Sequence, residues 1–313
     1  MIASLRRSVI LIRPPTQMGA LFKIVSAQHP INLLYVAASL REAGFEPRVI
    51  DYEVESWDPA KLLAEIDRLD PLFVGVSCMT PLIVTGHEIC RTVKEADPRR
   101  VTVVAGAHPT ALPQMTLEQF PFFDIAIAGE GEHTAVELCH RLVQGRDVSG
   151  IQGLVHRAAG QVVVEPERPI FKGLDELPLP ARDLLELSRY RGASKSGMPA
   201  EVVRSTQVFT SRGCPFLCTF CAIPIAHNFK VRFRSPDRVH VELKECVTRY
   251  GIEHVTLHDD TFTLSTRRVR EISEAIGSLG VSWDCDTRVD QVTKGMLEAM
   301  AANGCVRVAF GVE

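Results

Sequence analysis

The sequence lacks several features that would assign it to a simple class of protein. No apolar run reaches the length of a membrane-spanning helix. The formal net charge is only −3, so no excess of positive charge favours a nucleic-acid partner. The first residues lack the long apolar region and cleavage site of a signal peptide and are interpreted as a first strand. With 313 residues, 46% of them hydrophobic and 23% charged, the chain is long enough for two globular domains.

The cysteines form no paired framework of the kind that disulfides produce, although the chain has nine of them. This usage fits the reducing cytosol, where a cysteine cluster binds metal more often than it forms disulfides. The sequence therefore predicts a cytoplasmic protein.

Three cysteines, Cys214, Cys218 and Cys221, follow one another with the spacing C-x₃-C-x₂-C, and no fourth cysteine is close by. Thiolates are soft ligands that suit iron–sulfur clusters and zinc. Iron–sulfur clusters are usually held by four cysteines, so three would leave one iron without a protein ligand. An iron with an open position can bind and activate a substrate. The spacing favours such a cluster.

Zinc is the alternative metal for these thiolates. Ligation by three cysteines and a histidine would use His227, which lies six residues beyond Cys221. Zinc sites usually pair their ligands over a longer stretch, with a second pair a dozen or more residues after the first. Three cysteines within eight residues fit that arrangement poorly.

The first half of the chain alternates strand and helix patterns over residues 8–147. Apolar runs predict strands at residues 8–12, 47–51, 72–77, 101–105 and 124–128, with helices between them. Five strands joined by crossover helices predict a doubly wound, flavodoxin-like parallel sheet. Ligands of such folds bind outside the carboxyl ends of the strands.

Small and polar residues follow the carboxyl ends of these strands. The candidate contacts of a large ligand are Ser77, Thr80, Gly106, His108, Gly129 and Glu130. The alternative is that these are only tight turns. Nicotinamide binding is disfavoured because the first turn holds two prolines and no G-x-G-x-x-G.

The second half predicts the beginning of a partial TIM-type (β/α) barrel. We assign residues 1–147 to the first domain, 148–205 to a linker with a small hairpin over 155–165, and 206–313 to the barrel. Strands are predicted at residues 207–210, 254–258, 282–285 and 307–311. Four strands cannot close a barrel, so we interpret the sequence as a fragment, incomplete at its carboxyl end.

Polar side chains follow these strands, where barrel enzymes carry their chemistry. The candidates are Asp259, Asp260, Thr261, Arg288 and Glu313. Two simpler roles stay open. The Asp-Asp-Thr run can cap the helix that begins near residue 266, and the arginine can pair with Asp286 or Asp290.

The run Thr-Ser-Arg-Gly-Cys-Pro-Phe-Leu-Cys-Thr-Phe-Cys, residues 210–221, resembles the motif of the radical S-adenosylmethionine (radical SAM) superfamily. Phe220 matches the aromatic residue usual before the last cysteine. The resemblance implies that Cys214, Cys218 and Cys221 hold a 4Fe–4S cluster whose fourth iron is chelated by S-adenosylmethionine. One electron from the cluster would cleave this molecule to methionine and a 5′-deoxyadenosyl radical, which abstracts hydrogen from substrate.

The same resemblance implies roles for the other barrel candidates. In this family the loop after the second strand binds the methionine amino group. Asp259, Asp260 and Thr261 lie in the corresponding loop of this chain. Arg288 and Glu313 lie at positions where members of the family contact S-adenosylmethionine.

The first domain resembles the cobalamin-binding domain that precedes many radical SAM enzymes. The likeness rests on the segments Pro14-Pro15, residues 30–45, Gly106-Ala107-His108-Pro109-Thr110 and Gly129-Glu130-Gly131-Glu132. The chain lacks the Asp-x-His-x-x-Gly motif of mutase-type domains, so no histidine from that loop is expected on cobalt. His108 is a candidate ligand, but a turn histidine that caps a helix or bonds to backbone is the favoured interpretation.

These resemblances imply a cobalamin-dependent radical SAM enzyme, with methyl transfer to an unactivated carbon as the first hypothesis. Radical oxidative cyclisation or rearrangement, as in the anaerobic cyclases of tetrapyrrole synthesis, is the second. A non-catalytic zinc- or corrinoid-binding scaffold is the third. The family also implies a small-molecule substrate and a ferredoxin- or flavodoxin-like electron donor.

Overall fold

The computed structural model describes residues 6–16, 28–190, 204–227 and 229–311. Contacts divide the chain into two compact units. The first unit contains the described residues of Met1–Gln17, Asn32–Ile170 and Pro178–Leu185. The second contains those of Met18–Ile31, Phe171–Leu177 and Glu186–Glu313.

The first unit is built on a seven-stranded sheet in the order β2-β1-β3-β4-β5-β6-β7. Its strands are β1 (Ser8–Arg13), β2 (Glu46–Asp51), β3 (Val74–Ser77), β4 (Thr102–Ala105), β5 (Ile125–Ile127), β6 (Leu154–Ala158) and β7 (Gln161–Val164). β1 to β5 pair in parallel, whereas β6 and β7 are antiparallel additions. The order 2-1-3-4-5 is that of flavodoxin-like folds. The doubly wound prediction is confirmed.

The helices of the first unit cover this sheet. They are α1 (Ile31–Glu42), α2 (Pro59–Leu69), α3 (Ile83–Ala96), α4 (Ala107–Ala111), α5 (Pro113–Gln119) and α6 (Gly131–Val143). The central strands are apolar along their whole length because both of their faces are covered. Ile10 and Val76 of the sheet share one buried cluster with Leu62 of α2 and Ile89 of α3.

The hairpin predicted over residues 155–165 forms, but it does not belong to a separate linker. β6 and β7 turn at Ala159 and Gly160, whose φ angles are 48° and 79°. β6 then pairs with β5 at the edge of the first sheet. The predicted linker of residues 148–205 is thus divided between the two units, because its hairpin completes the sheet of the first.

The second unit contains a four-stranded parallel sheet whose strands lie side by side in chain order. They are β8 (Ser205–Val208), β11 (His254–Leu257), β12 (Ser282–Thr287) and β13 (Cys305–Phe310). A short antiparallel pair, β9 (Ser211–Arg212) and β10 (Arg232–Phe233), follows the carboxyl end of β8. Parallel strands in sequential order are typical of the first half of a (β/α) barrel, as predicted.

Three helices cover one face of this sheet: α8 (Pro236–Tyr250), α9 (Thr266–Gly277) and α10 (Lys294–Ala302). A short helix, α7 (Ile223–His227), follows the cysteines. Val255, Leu257 and Trp283 pack into the buried apolar cluster that α8, α9 and α10 share. Because side chains alternate across a strand, the buried polar residues Thr256 and Asp284 point to the other face. In the described part of the chain, no helix combines the length and apolarity needed to cross a membrane.

Candidate functional site

The three cysteines of the C-x₃-C-x₂-C run lie on one loop that follows β9. Cys214, Cys218 and Cys221 are all half-buried and in no disulfide. The backbone N–H of Cys221 donates to the carbonyl of Cys218 at 3.2 Å, which closes a turn inside the loop. Phe220 is exposed, with 66% of its surface accessible. The loop therefore presents three reduced thiols near the surface of the second unit.

The donor set suits an iron–sulfur cluster better than a single metal ion. Among the described residues, no three His, Cys, Asp or Glu side chains converge closely enough to hold one ion. A 4Fe–4S cluster does not need such convergence, because each thiolate is bound to a different iron. Three soft thiolates on one loop fit that requirement. The side chain of His227, the candidate zinc ligand, lies outside the described part of the chain.

Asp259 ties the beginning of the cysteine loop to the end of β11. Its Oδ1 accepts the backbone N–H groups of Thr210 and Ser211 at 2.6 and 3.1 Å. Its Oδ2 accepts both of their hydroxyl groups, that of Ser211 at 2.6 Å. The carboxylate is 4% exposed. Through these four hydrogen bonds, Asp259 holds the segment that leads into the cysteines.

The next two residues also touch the loop. Oδ2 of Asp260 accepts the backbone N–H of Gly213 at 2.9 Å, directly before the first cysteine. Oγ1 of Thr261 lies 3.4 Å from Sγ of Cys214 and donates to the carbonyl of Asp260 at 2.8 Å. The capping alternative is wrong, because α9 is capped by Ser265, which accepts the N–H of Arg268.

Arg288 reaches the same loop from the carboxyl end of β12. Its Nη1 donates to Sγ of Cys218 at 3.1 Å, and its guanidinium lies 4.2 Å from the ring centroid of Phe216. Nε and Nη2 donate to the two carboxylate oxygens of Asp290 at 2.9 and 2.6 Å. This ion pair raises the pKa of Arg288 and lowers the pKa of Asp290. Of the two pairings that the sequence left open, with Asp286 or with Asp290, the one with Asp290 forms, and the same arginine also contacts a predicted cluster ligand.

A buried network of charged residues beneath the loop was missed by the sequence analysis. Arg234 pairs with Glu242 at 2.6 Å, and their side chains are 4% and 0% exposed. Arg268 donates to the carbonyls of Arg234 and Thr210. Burial lowers the pKa of Arg268. The signal in the sequence is the run Arg232-Phe233-Arg234-Ser235-Pro236 after the cysteines, in which Ser235 caps α8.

The predicted ligand contacts of the first unit lie at the carboxyl ends of β3, β4 and β5. Ser77 ends β3, and Thr80 lies in the turn beyond it. Oγ1 of Thr80 is 3.1 Å from Nδ1 of His108, which is 6% exposed. The backbone N–H of His108 donates to the carbonyl of Cys78. Burial lowers the pKa of His108. Its ring and its backbone N–H link the two turns.

Glycines shape the same edge. Gly106 has a φ of 110°, and a Cβ placed on it would lie 2.8 Å from the carbonyl oxygen of Cys78. Oγ1 of Thr110 donates to the carbonyl of Gly106 at 2.7 Å and accepts the N–H of Gly129 at 2.9 Å. Gly129 has a φ of 86° and open space where its Cβ would stand. Glu130 directly precedes α6 and does not cap it through its side chain.

The structure therefore assembles the sequence-predicted residues into one group on each unit. Ser77, Thr80, Gly106, His108, Gly129 and Glu130 share the edge of the first sheet, whereas Asp259, Asp260, Thr261 and Arg288 surround the cysteine loop of the second. Glu313 lies outside the described residues.

Two family models match the chain. The B12 binding domain matches residues 19–139, and the radical SAM superfamily matches residues 208–313. Together they cover both groups of candidate residues.

Curated relatives align over almost the whole chain. An uncharacterised methyltransferase of Pyrococcus horikoshii is 33% identical over 97% of this chain and 65% of its own length. The anaerobic magnesium-protoporphyrin IX monomethyl ester cyclase of Rubrivivax gelatinosus is 27% identical over 97% of this chain and 55% of its own length. The chain thus spans less than two thirds of these relatives.

Solved structures share the fold. The radical S-adenosylmethionine methyltransferase TsrM of Kitasatospora setae, with cobalamin and a 4Fe–4S cluster bound, superposes with a TM-score of 0.76 at 22% identity. The match covers 98% of this chain and 59% of TsrM.

Proposed function

Because the chain belongs to the radical SAM proteins that carry a B12-binding domain, we propose that it is a cobalamin-dependent radical SAM methyltransferase. Its substrate would be a small molecule methylated at an unactivated carbon. The observation that carries the proposal is the loop of three free thiols at the carboxyl end of a parallel sheet. The curated methyltransferase relative, aligned over 97% of the chain, supports the reaction class.

Cys214, Cys218 and Cys221 would hold the 4Fe–4S cluster. When bound, the cluster supplies the electron that cleaves S-adenosylmethionine, and cobalamin supplies the methyl carrier. The chain's own residues prepare the loop for this task. Asp259 and Asp260 fix the segment before the first cysteine through five hydrogen bonds, three from backbone N–H groups and two from hydroxyl groups.

The remaining candidates are assigned to cofactor contact as part of this proposal. Thr261, Arg288, Phe220 and Glu313 would lie near S-adenosylmethionine. For Asp259 we propose a positioning role, because its four hydrogen bonds leave little capacity for a further ligand.

Cobalamin would lie on the edge of the first sheet. Ser77, Thr80, Gly106, Gly129 and Glu130 would form the bed of a flat ligand, since ligands of doubly wound folds bind at this edge. For His108 we propose a supporting role beneath that ligand and not cobalt ligation, because the residue is 6% exposed and its Nδ1 contacts the hydroxyl of Thr80.

Oxidative cyclisation is the second candidate, supported by the cyclase relative aligned over 97% of the chain. The two reactions differ in the fate of the methyl group. With S-adenosylmethionine labelled in its methyl group, methyl transfer places the label in the product, whereas cyclisation leaves it in methionine.

The proposal also includes a ferredoxin- or flavodoxin-like electron donor, because the cluster must be reduced before it can act. It includes a cytoplasmic location, since nine free cysteines fit a reducing compartment.

The test begins with reconstitution of the chain by iron and sulfide without oxygen. We expect a brown protein with about four irons per chain, which forms 5′-deoxyadenosine from S-adenosylmethionine once a chemical reductant is added. Added cobalamin should stay with the protein through gel filtration and give the red corrinoid spectrum. A colourless, zinc-loaded chain that forms no 5′-deoxyadenosine would support the scaffold hypothesis instead.

A further inference from the structure

Arg288 is placed so that a positive charge faces the sulfur of a predicted cluster ligand. Its Nη1 donates to Sγ of Cys218 at 3.1 Å. Arg288 directly follows β12, so its backbone is anchored on a strand of the central sheet. The contact joins residues that are 70 positions apart in the chain. It is therefore a product of the fold and not of the cysteine loop alone.

Two further contacts fix the orientation of this guanidinium. Asp290 accepts from Nε and Nη2, which is the bidentate arrangement that gives arginine pairs their geometric specificity. Phe216, inside the cysteine loop, lies 4.2 Å from the guanidinium. The carboxylate of Asp290 holds one edge of the guanidinium, and the ring of Phe216 lies against one of its faces. Nη1 is therefore directed towards Cys218. Lysine could not reproduce this geometry, since an ammonium lacks the planar fork.

Thr261 also lies beside a sulfur of the cysteine loop, that of Cys214, but it cannot serve in the same way. Its single hydroxyl hydrogen is donated to the carbonyl of Asp260 at 2.8 Å. Once Cys214 is a thiolate ligand, it has no proton to offer to Thr261. Of these two residues, Arg288 is the one that brings both a positive charge and an N–H group to a predicted cluster ligand.

We propose that Arg288 is a tuning residue that raises the reduction potential of the cluster through its charged hydrogen bond to Cys218. Reduction adds one electron from an external donor to the cluster and its thiolates. A nearby positive charge stabilises that more negative state. Hydrogen bonds to the sulfurs and the net charge around a cluster are among the factors that set its potential. Arg288 would thus make the electron transfer that precedes S-adenosylmethionine cleavage easier.

This inference rests on the proposed function, because it requires a cluster on the three cysteines. The experiment is a potentiometric titration of the reconstituted chain without S-adenosylmethionine, followed by the EPR signal of the reduced cluster. It compares the parent chain with Arg288→Gln, Arg288→Lys and Arg249→Gln. The last is the matched control, since it removes an exposed charge at the end of α8, where the arginine pairs with Glu245.

We expect Arg288→Gln to make reduction less favourable by on the order of tenfold, which is ~59 mV for a one-electron couple. Arg288→Lys should give a smaller shift in the same direction, and Arg249→Gln none. Unchanged potentials in both Arg288 variants, at full iron content, would overturn the inference. If Arg288→Gln does not retain iron, the lysine variant decides alone: a lowered potential supports the inference and an unchanged one overturns it. A parent chain that assembles no cluster at all would instead refute the proposed function.

Discussion

The two candidate sites of this chain are built in opposite ways. The edge of the first sheet is shaped by backbone, with Gly106 and Gly129 at positive φ and Thr110 hydrogen-bonded to both. The segment that leads into the cysteine loop of the second unit is held by side chains, above all Asp259, which binds Thr210 and Ser211, and Arg234, which donates to the carbonyl of Phe209. The first arrangement suits a large flat ligand that lies against main chain. The second suits a charged metal cofactor whose ligands must be fixed one by one.

This difference implies different vulnerabilities. A site shaped by backbone should tolerate changes of polar side chains but not an added Cβ. A site held by buried charges should tolerate small changes of shape but not the loss of one partner, because the other charge then stays buried and uncompensated.

Loss of one cysteine of the loop should remove the cluster altogether. Cys218→Ala is expected to reduce the iron retained after reconstitution to background, because two thiolates cannot hold the cluster. Cys305→Ala is the matched control, since Cys305 is also half-buried and free but begins β13 instead of following a strand. Iron counting and the visible spectrum provide the measurement. Full iron content in Cys218→Ala would refute the assignment.

Removal of the carboxylate beneath the loop should destabilise the second unit strongly. Glu242→Gln removes the carboxylate that pairs with the buried guanidinium of Arg234, and breaking a buried ion pair in this way costs about 3–5 kcal/mol. Glu245→Gln on the same helix breaks an exposed pair with Arg249 and should cost less than about 1 kcal/mol. Urea denaturation of the two variants measures the difference. Equal losses would mean that the buried pair has no special role.

An added Cβ should disturb the first unit. Gly106→Ala is expected to lower the free energy of unfolding by about 1–3 kcal/mol, because a strained φ is combined with an approach of 2.8 Å to the Cys78 carbonyl. Gly145→Ala is the control: its φ is also positive, at 62°, but nothing lies within 4 Å of the new Cβ. Thermal unfolding should therefore rank Gly106→Ala as the more destabilising change, and cobalamin retention should fall only in that variant. The reverse ranking would argue against a close-packed turn at Gly106.

Acidification should weaken the first unit slightly through His108. Burial lowers the pKa of this histidine in the folded state, so the unfolded chain binds the proton more readily. The stability contributed by the neutral ring is complete above about pH 6.5, the ordinary pKa of histidine, and declines as the pH falls below it. His108→Gln should flatten this dependence but not abolish it, since burial also lowers the pKa of His87. Denaturation series at pH 7.5 and 5.5 give the change in the free energy of unfolding with pH for parent and variant. Identical slopes in parent and variant would contradict this role.

Most strands of the fold could be predicted because they are marked by local sequence patterns. The central strands are apolar runs, and the hairpin over β6 and β7 has its turn in two adjacent residues, so both could be predicted. That the hairpin joins the edge of the first sheet could not, because pairing between β5 and β6 depends on residues nearly 30 positions apart. Periodicity indicates that a strand forms, but not which edge it pairs with.

The candidate site divides in the same way. The cysteine spacing is local and was visible at once. The four hydrogen bonds of Asp259 join it to residues 48 and 49 positions earlier, and the contact of Arg288 with Cys218 spans 70 positions. The sequence predicted that these residues lie near a cofactor. Only the folded chain distinguishes Asp259, which holds the loop, from Arg288, which faces a sulfur.

The most direct test of the account is the EPR spectrum of the reduced, reconstituted chain before and after addition of S-adenosylmethionine. If three cysteines leave one iron open to this molecule, its binding must change the signal of the cluster. A signal that stays unchanged at saturating S-adenosylmethionine would contradict the account.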